Sequence, residues 1–142
     1  MRSSVIDVNV WLALLSERHQ HHHVSRDWAD GLAAGEAGLC RVAQLSTVRL
    51  LCTPTVMGAS VLSAGQAWAQ MQELLEDERV EFLYEPPGID DEITKLLRYR
   101  VPTPGLVNDA YLAAFAIVSG RRLVTRDRGF LEFRGLDVEL LA

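Results

Sequence analysis

Val5-Ile6-Asp7-Val8-Asn9-Val10-Trp11-Leu12-Ala13-Leu14-Leu15 changes period in its middle. Val5 and Ile6 are β-branched and open a short buried strand that ends at Asp7, whereas Val8 to Leu15 reads as a helix apolar nearly all round. The rest of the chain repeats this alternation. Val24, Trp28 and Leu32 fall at i, i+4, i+8 and predict a second helix ending near Gly35, followed by a strand over Leu39-Cys40-Arg41-Val42. Leu45, Val48 and Leu51/Cys52 share a helical face that stops before Pro54. Ser63-x-x-Gln66 is a capping box introducing a helix with Trp68, Met71 and Leu75 on one side. Val80 to Tyr84 alternates like a strand. After Pro86-Pro87-Gly88, the acids Asp90, Asp91 and Glu92 precede the bases Lys95, Arg98 and Arg100, an order that suits a helix dipole. Leu106 to Ser119 is an apolar helix closed by Gly120. Arg122 to Thr125 and Val138 to Leu141 complete the strands, the last at an edge. Alternating strands and helices predict one α/β domain over residues 1–142, with a central, mainly parallel sheet flanked by helices. Such sheets bind ligands beyond the carboxyl ends of their strands.

The composition agrees. At 142 residues with 49% hydrophobic and 23% charged, the chain can bury a sizeable core, which excludes disorder and a disulfide-stapled mini-protein. Cys40 and Cys52 are expected to be reduced thiols in a cytoplasmic protein. No run approaches the roughly 18 apolar residues of a membrane span, and no signal-peptide core precedes the charge at Asp7. The formal net charge of −5 argues against nonspecific coating of nucleic acid. Arg121 to Arg134, however, holds five arginines against Asp127 and Glu132, a basic rim that could hold phosphates.

Three acids stand out. Asp7 ends the first strand, Asp127 follows the strand ending at Thr125, and Asp109 lies in the opening turn of an apolar helix. Singly, each has a plain explanation as a helix cap or turn residue. Together they fall where the architecture places ligands. Two carboxylates about 4 Å apart repel by about 1 kcal/mol in water and about 4 kcal/mol at an effective dielectric near 20. Three such groups either take up a proton or bind a cation. Oxygen donors without companion thiolates favour Mg²⁺, with Mn²⁺ as a substitute, and the chemistry implied is phosphoester hydrolysis.

Ile6-Asp7-Val8-Asn9-Val10-Trp11-Leu12-Ala13-Leu14, Asn108-Asp109-Ala110-Tyr111-Leu112-Ala113-Ala114-Phe115-Ala116 and Leu123-Val124-Thr125-Arg126-Asp127-Arg128-Gly129-Phe130 resemble the three main motifs of PIN-domain ribonucleases. The likeness is closest to the VapC toxins of bacterial toxin–antitoxin pairs and covers nearly the whole chain. It implies a Mg²⁺-dependent endoribonuclease preferring single strands. Asp7, Asp109 and Asp127 match the metal-site acids, and Asn9 and Thr125 match polar residues lining that site. Arg126 and Arg128 are candidate phosphate contacts at its rim. The resemblance also implies a homodimer held inactive by a small DNA-binding antitoxin of the VapB kind, whose tail wraps the toxin.

One position departs from the pattern. Many family members carry glutamate in the helix after the second strand, where this chain has Gln44. Gln44 keeps an oxygen but removes a charge, so a second metal should bind more weakly. A degenerate PIN module that binds RNA or protein without cutting is therefore an alternative. A haloacid-dehalogenase-like phosphatase would use Asp7 as nucleophile, but it prefers an acid where Asn9 stands. A metal-independent ribonuclease could use His19 and His22 as an acid–base pair. The cluster His19, His21, His22 and His23 reads first as a polar loop and helix start, with RNA contact or metal binding as lesser readings. Trp11, Trp28 and Trp68 are expected in the core.

Overall fold

The computed structural model describes residues 3–142. Strand β1 (Ser4–Ile6) passes straight into helix α1 (Val8–Leu15), and Asp7 makes the junction. Its backbone stays extended and its Oδ1 accepts the Val8 N–H at 2.7 Å, satisfying one of the helix's orphan donors. Helix α2 (His22–Asp30) leads to β2 (Ala37–Cys40), which hands over to α3 (Arg41–Leu51). The short α4 (Pro54–Met57), a 3-10 turn and α5 (Ala64–Glu76) follow, then β3 (Val80–Leu83), α6 (Ile89–Leu97) and α7 (Leu106–Ser119). After β4 (Leu123–Thr125), a 3-10 turn over Arg128–Glu132 precedes β5 (Val138–Leu140).

The sheet order is β3-β2-β1-β4-β5, and every pairing is parallel. The chain first winds outward from β1 through β2 to β3, then returns to the other side of β1 to lay down β4 and β5. The direction of winding reverses between β1 and β4. Their carboxyl ends therefore border the crevice in which doubly wound sheets hold ligands.

Val5, Ile6, Leu39 and Leu123 are fully buried at the centre of the sheet. Helix α7 packs against β1 and β4, and Ala110, Ala113, Ala114 and Ala116 along it are all buried. Gly38 of β2 leaves no room for a side chain. A methyl there would lie 2.3 Å from Leu83 Cδ1 and 2.5 Å from the Ser4 carbonyl oxygen. Helix α5 begins with the full capping box: Ser63 Oγ accepts from Gln66 N–H and Gln66 Oε1 from Ser63 N–H. Among the described residues, no helix is long and apolar enough to cross a membrane.

Three expectations shift. Strand β2 lies two residues earlier than Leu39–Val42, because its pairing runs from Ala37 opposite Val80 to Cys40 opposite Leu83. Arg41 and Val42 are thereby released into the first turn of α3. A short apolar run does not reveal which of its residues the sheet will take. Helix α2 ends at Asp30, where the Gly31 N–H closes on Trp28 O and Ala29 O, while Leu32 still packs on the core. Trp11 is 1% exposed, but Trp68 is 40% exposed and stands outside the core, since only Ala67 and Met71 of α5 are buried.

Candidate active site

Asp7 arrives at the crevice from β1 and Thr125 from β4. Both are buried, and the Thr125 hydroxyl donates to Asp7 Oδ2 at 2.7 Å. The same hydroxyl oxygen accepts the Asp127 N–H at 3.0 Å. A hydroxyl has one proton to give, so donation to Asp7 leaves its lone pairs for the backbone, and Thr125 ties the two acidic segments together. Asp127 itself is exposed. Its Oδ1 accepts the Gly129 N–H at 2.8 Å, so the plain turn-shaping reading holds for this residue, while its charge also acts on Asp7 and Asp109. Asn9, in the first turn of α1, accepts the Arg126 N–H through Oδ1 at 3.4 Å, a long contact that links α1 to the segment after β4.

Asp109 comes from the first turn of α7 and is half-buried. Its carboxyl is pushed up to about 6, chiefly by burial and then by the negative charges of Asp7 and Asp127. Asp7 is also raised, first by burial; the hydrogen bonds from Thr125 and Val8 pull it back, and the charge of Asp127 adds to the rise. Strand ends and a helix start, far apart in sequence, thus bring three carboxylates into one repulsive field. Among the described residues, however, no three histidine, cysteine, aspartate or glutamate side chains form a ready-made metal cage. Asp109 and Asp127 line one cavity of about 530 Å³, together with Tyr99, Arg100, Leu106 and Phe133. A smaller hollow of about 190 Å³ lies beside Trp11, Trp28 and Leu74 and reaches Ala37 and Val80, the first residues of β2 and β3. It sits at the amino ends of the strands, away from the acids.

The chemistry of the donor set fits a hard divalent cation. The donors are oxygens, burial withholds water from Asp7, and mutual repulsion makes a counter-charge favourable. Such an ion keeps several waters when one or two carboxylates hold it, which matches a site without a complete protein cage. The Cys40 thiol, also within the field of Asp7, is raised chiefly by burial.

The remaining candidates divide. Gln44 is buried, and its side-chain oxygen accepts from the Arg41 guanidinium, which in turn lies 4.7 Å over the Phe82 ring. Its contact is with Arg41 and not with an acid. The sequence pattern assigns Arg41 to a strand and so gives no sign of this contact. Arg126 reaches the Ala142 carbonyl, whereas Arg128 is exposed and makes no hydrogen bond or ion pair among the described residues. The basic rim is narrower than the sequence suggests. Arg121 bonds the Ser3 carbonyl at 3.0 Å and Arg122 pairs with Asp137 and Glu139, all at the opposite end of the sheet. Of the histidines, His22 opens α2, is buried and bonds the Ala13 carbonyl through Nδ1 at 2.7 Å, a structural role. His19 is lowered by burial first and then by neighbouring cations that include Arg126, which places it on the Arg126 side of the molecule.

Comparison with known proteins agrees with this geometry. The family model described as PIN domain matches residues 4–136. The chain is 40% identical over 141 residues to ribonuclease VapC41 of Mycobacterium tuberculosis, covering 96% of this chain and 97% of that protein. Among solved structures, VapBC2 from Rickettsia felis bound to a DNA fragment from its promoter aligns with a TM-score of 0.68 at 12% identity, covering 98% of each chain. VapC20 from M. tuberculosis, described as a sarcin-ricin loop cleaving toxin, aligns with a TM-score of 0.67 at 15% identity, covering 95% of this chain and 99% of that one. These two likenesses show the fold. With the family model spanning nearly its whole length and a relative at 40% identity, the chain belongs to the PIN domain family, among its VapC ribonucleases.

Proposed function

We propose that this VapC ribonuclease is the toxin of a type II toxin–antitoxin pair and a Mg²⁺-dependent endoribonuclease centred on Asp7, Asp109 and Asp127. The observation that carries this reading is the convergence of the three acids at the β1/β4 crevice, where burial first and then the charges of Asp7 and Asp127 raise Asp109 to about 6. Asp7, Asp109 and Asp127 would hold Mg²⁺, or Mn²⁺ in its place, directly or through water, and such an ion would supply an acidified water and a Lewis acid for the scissile phosphoryl oxygen. Thr125 fixes the orientation of Asp7 and the approach of Asp127 through its two hydrogen bonds. Asn9 steadies the Arg126 backbone, and Arg128, with no hydrogen bond or ion pair among the described residues, is a cation available to a substrate phosphate. Gln44 keeps its oxygen on Arg41 and acts as an outer, uncharged neighbour, which leaves the acidic group at −3 and favours a single ion.

The partners follow from relatives. A VapB-like antitoxin with a DNA-binding fold restrains the toxin, supported by the Rickettsia felis assembly on promoter DNA, and pairing of the toxin as a homodimer is part of the same reading. The substrate is RNA. The test is cleavage of a labelled single-stranded RNA by the purified chain, with Mg²⁺ and with EDTA, beside Asp7→Asn. Charge stabilisation at such a centre is worth several kcal/mol, so Asp7→Asn is expected to lose about 10²-fold or more in rate. Full activity in EDTA would move the chemistry to the histidines. RNA that is bound but never shortened in Mg²⁺ would leave a binding module.

A further inference from the structure

Helix α6 ends in a turn that its sequence does not suit. Arg98 has φ −63° and ψ 128°, Tyr99 has φ 63°, and the Arg100 N–H closes on the Leu97 carbonyl at 3.2 Å. This is the geometry of a type II turn, whose third position requires positive φ and normally holds glycine or asparagine. Helix α7 meets a similar demand with Gly120 at φ 66°. Among the described residues, Tyr99 is the one non-glycine with positive φ, and a bulky residue there is strained. Packing does not explain it, because Tyr99 is 98% exposed.

What surrounds the ring gives it a use. Tyr99 lines the same cavity of about 530 Å³ as Asp109 and Asp127. The turn is pinned to the opposite wall by its neighbour: the Arg100 guanidinium lies 4.6 Å over the Phe133 ring and donates to the Glu132 carbonyl at 3.0 Å. Pro102 and Pro104 stiffen the segment that follows. A strained turn, fixed through Arg100, therefore carries an exposed aromatic on the rim of a cavity of ligand size that Asp109 and Asp127 also line. RNA offers one partner for such a surface, the face of an unpaired base, since bases in a duplex are already stacked.

We propose that Tyr99 is a substrate-positioning platform that stacks one unpaired base of RNA beside the cleavage centre and so selects single strands. The proposal rests on the ribonuclease reading above. Tyr99→Gly removes the ring while suiting the backbone, so its Tm should be no lower than wild type. With a short fluorescein-labelled single-stranded RNA, KM and the dissociation constant in EDTA should both rise by roughly 5- to 150-fold, with kcat retained. Tyr99→Phe should restore both. An abasic nucleotide at the stacked position should cost wild type the same factor and cost Tyr99→Gly nothing further. Undiminished affinity in Tyr99→Gly, failure of Tyr99→Phe to restore it, or an abasic penalty that persists in Tyr99→Gly would overturn the proposal, as would wild type that does not bind the RNA. Cutting with undiminished affinity in Tyr99→Gly refutes the platform alone. Affinity lost in Tyr99→Gly, with wild type never cutting in Mg²⁺, refutes the nuclease alone.

Discussion

Replacing Asp109 by asparagine should stabilise the metal-free protein at neutral pH while removing its activity. The folded carboxyl sits at about 6 against an ordinary 3.8, raised by burial and then by Asp7 and Asp127. Between those values the folded protein holds a proton that the unfolded chain has released, so stability falls as pH rises from about 4 to about 6 and stays low above it. At about 1.36 kcal/mol per pH unit, the full gap corresponds to about 3 kcal/mol. Asp109 is only half-buried, and solvent screening reduces this to about 1–2 kcal/mol. Asparagine keeps the shape and discards the charge. Urea unfolding of wild type and Asp109→Asn in EDTA should therefore coincide near pH 4 and diverge by about 1–2 kcal/mol above pH 6, with asparagine the more stable. Loss of the Asp109 charge also eases the ionisation of Asp7, which acts in the same direction. Mg²⁺ should close the gap by stabilising wild type alone. A difference that ignores pH, or an Asp109→Asn protein less stable than wild type at pH 7, would refute the shared field on which the site depends.

Two further outcomes are expected. Thr125→Val conserves volume but strands Asp7 Oδ2 and the Asp127 N–H, which should cost roughly 1–3 kcal/mol in urea unfolding and move the acid limb of the pH–rate profile upward, because Asp7 loses a bond that favours its charged form. Gly38→Ala forces a methyl against Leu83 and the Ser4 carbonyl; thermal or urea unfolding should show a loss of roughly 1–3 kcal/mol, and a fully stable variant would mean β1 and β2 are not held this closely.

Much of the architecture could be read from periodicity. Helix α7 runs from Leu106 to Ser119 as its apolar run and Gly120 dictate, and α5 begins at the Ser63–Gln66 box, because caps and helical spacing are local signals. The ends of β2 and α2 were not legible in the same way, since partners from β3 and the core set them. The acids were visible by position, Asp7 and Asp127 after strands and Asp109 in an apolar helix. Gln44 was visible only as a missing charge; its pairing with Arg41 needed the fold. The five arginines between positions 121 and 134 read as one basic rim, but β4 carries Arg121 and Arg122 to one end of the sheet and Arg126 and Arg128 to the other. Trp68 matched a buried helical face and is exposed, because the neighbours that would cover it are not supplied by its own helix.

The sequence by itself determined the alternation of strand and helix, the capped helix starts and the identity of the three carboxylates, because each depends on side chains a few residues apart. Only the tertiary structure decided that the sheet reverses its winding between β1 and β4, that Thr125 joins Asp7 to Asp127, and that Tyr99 stands at the mouth of the cavity holding Asp109. Those facts depend on strand order and on contacts between groups more than a hundred residues apart, and burial, which no local pattern reports, is the first cause that raises Asp7 and Asp109 above ordinary carboxyls.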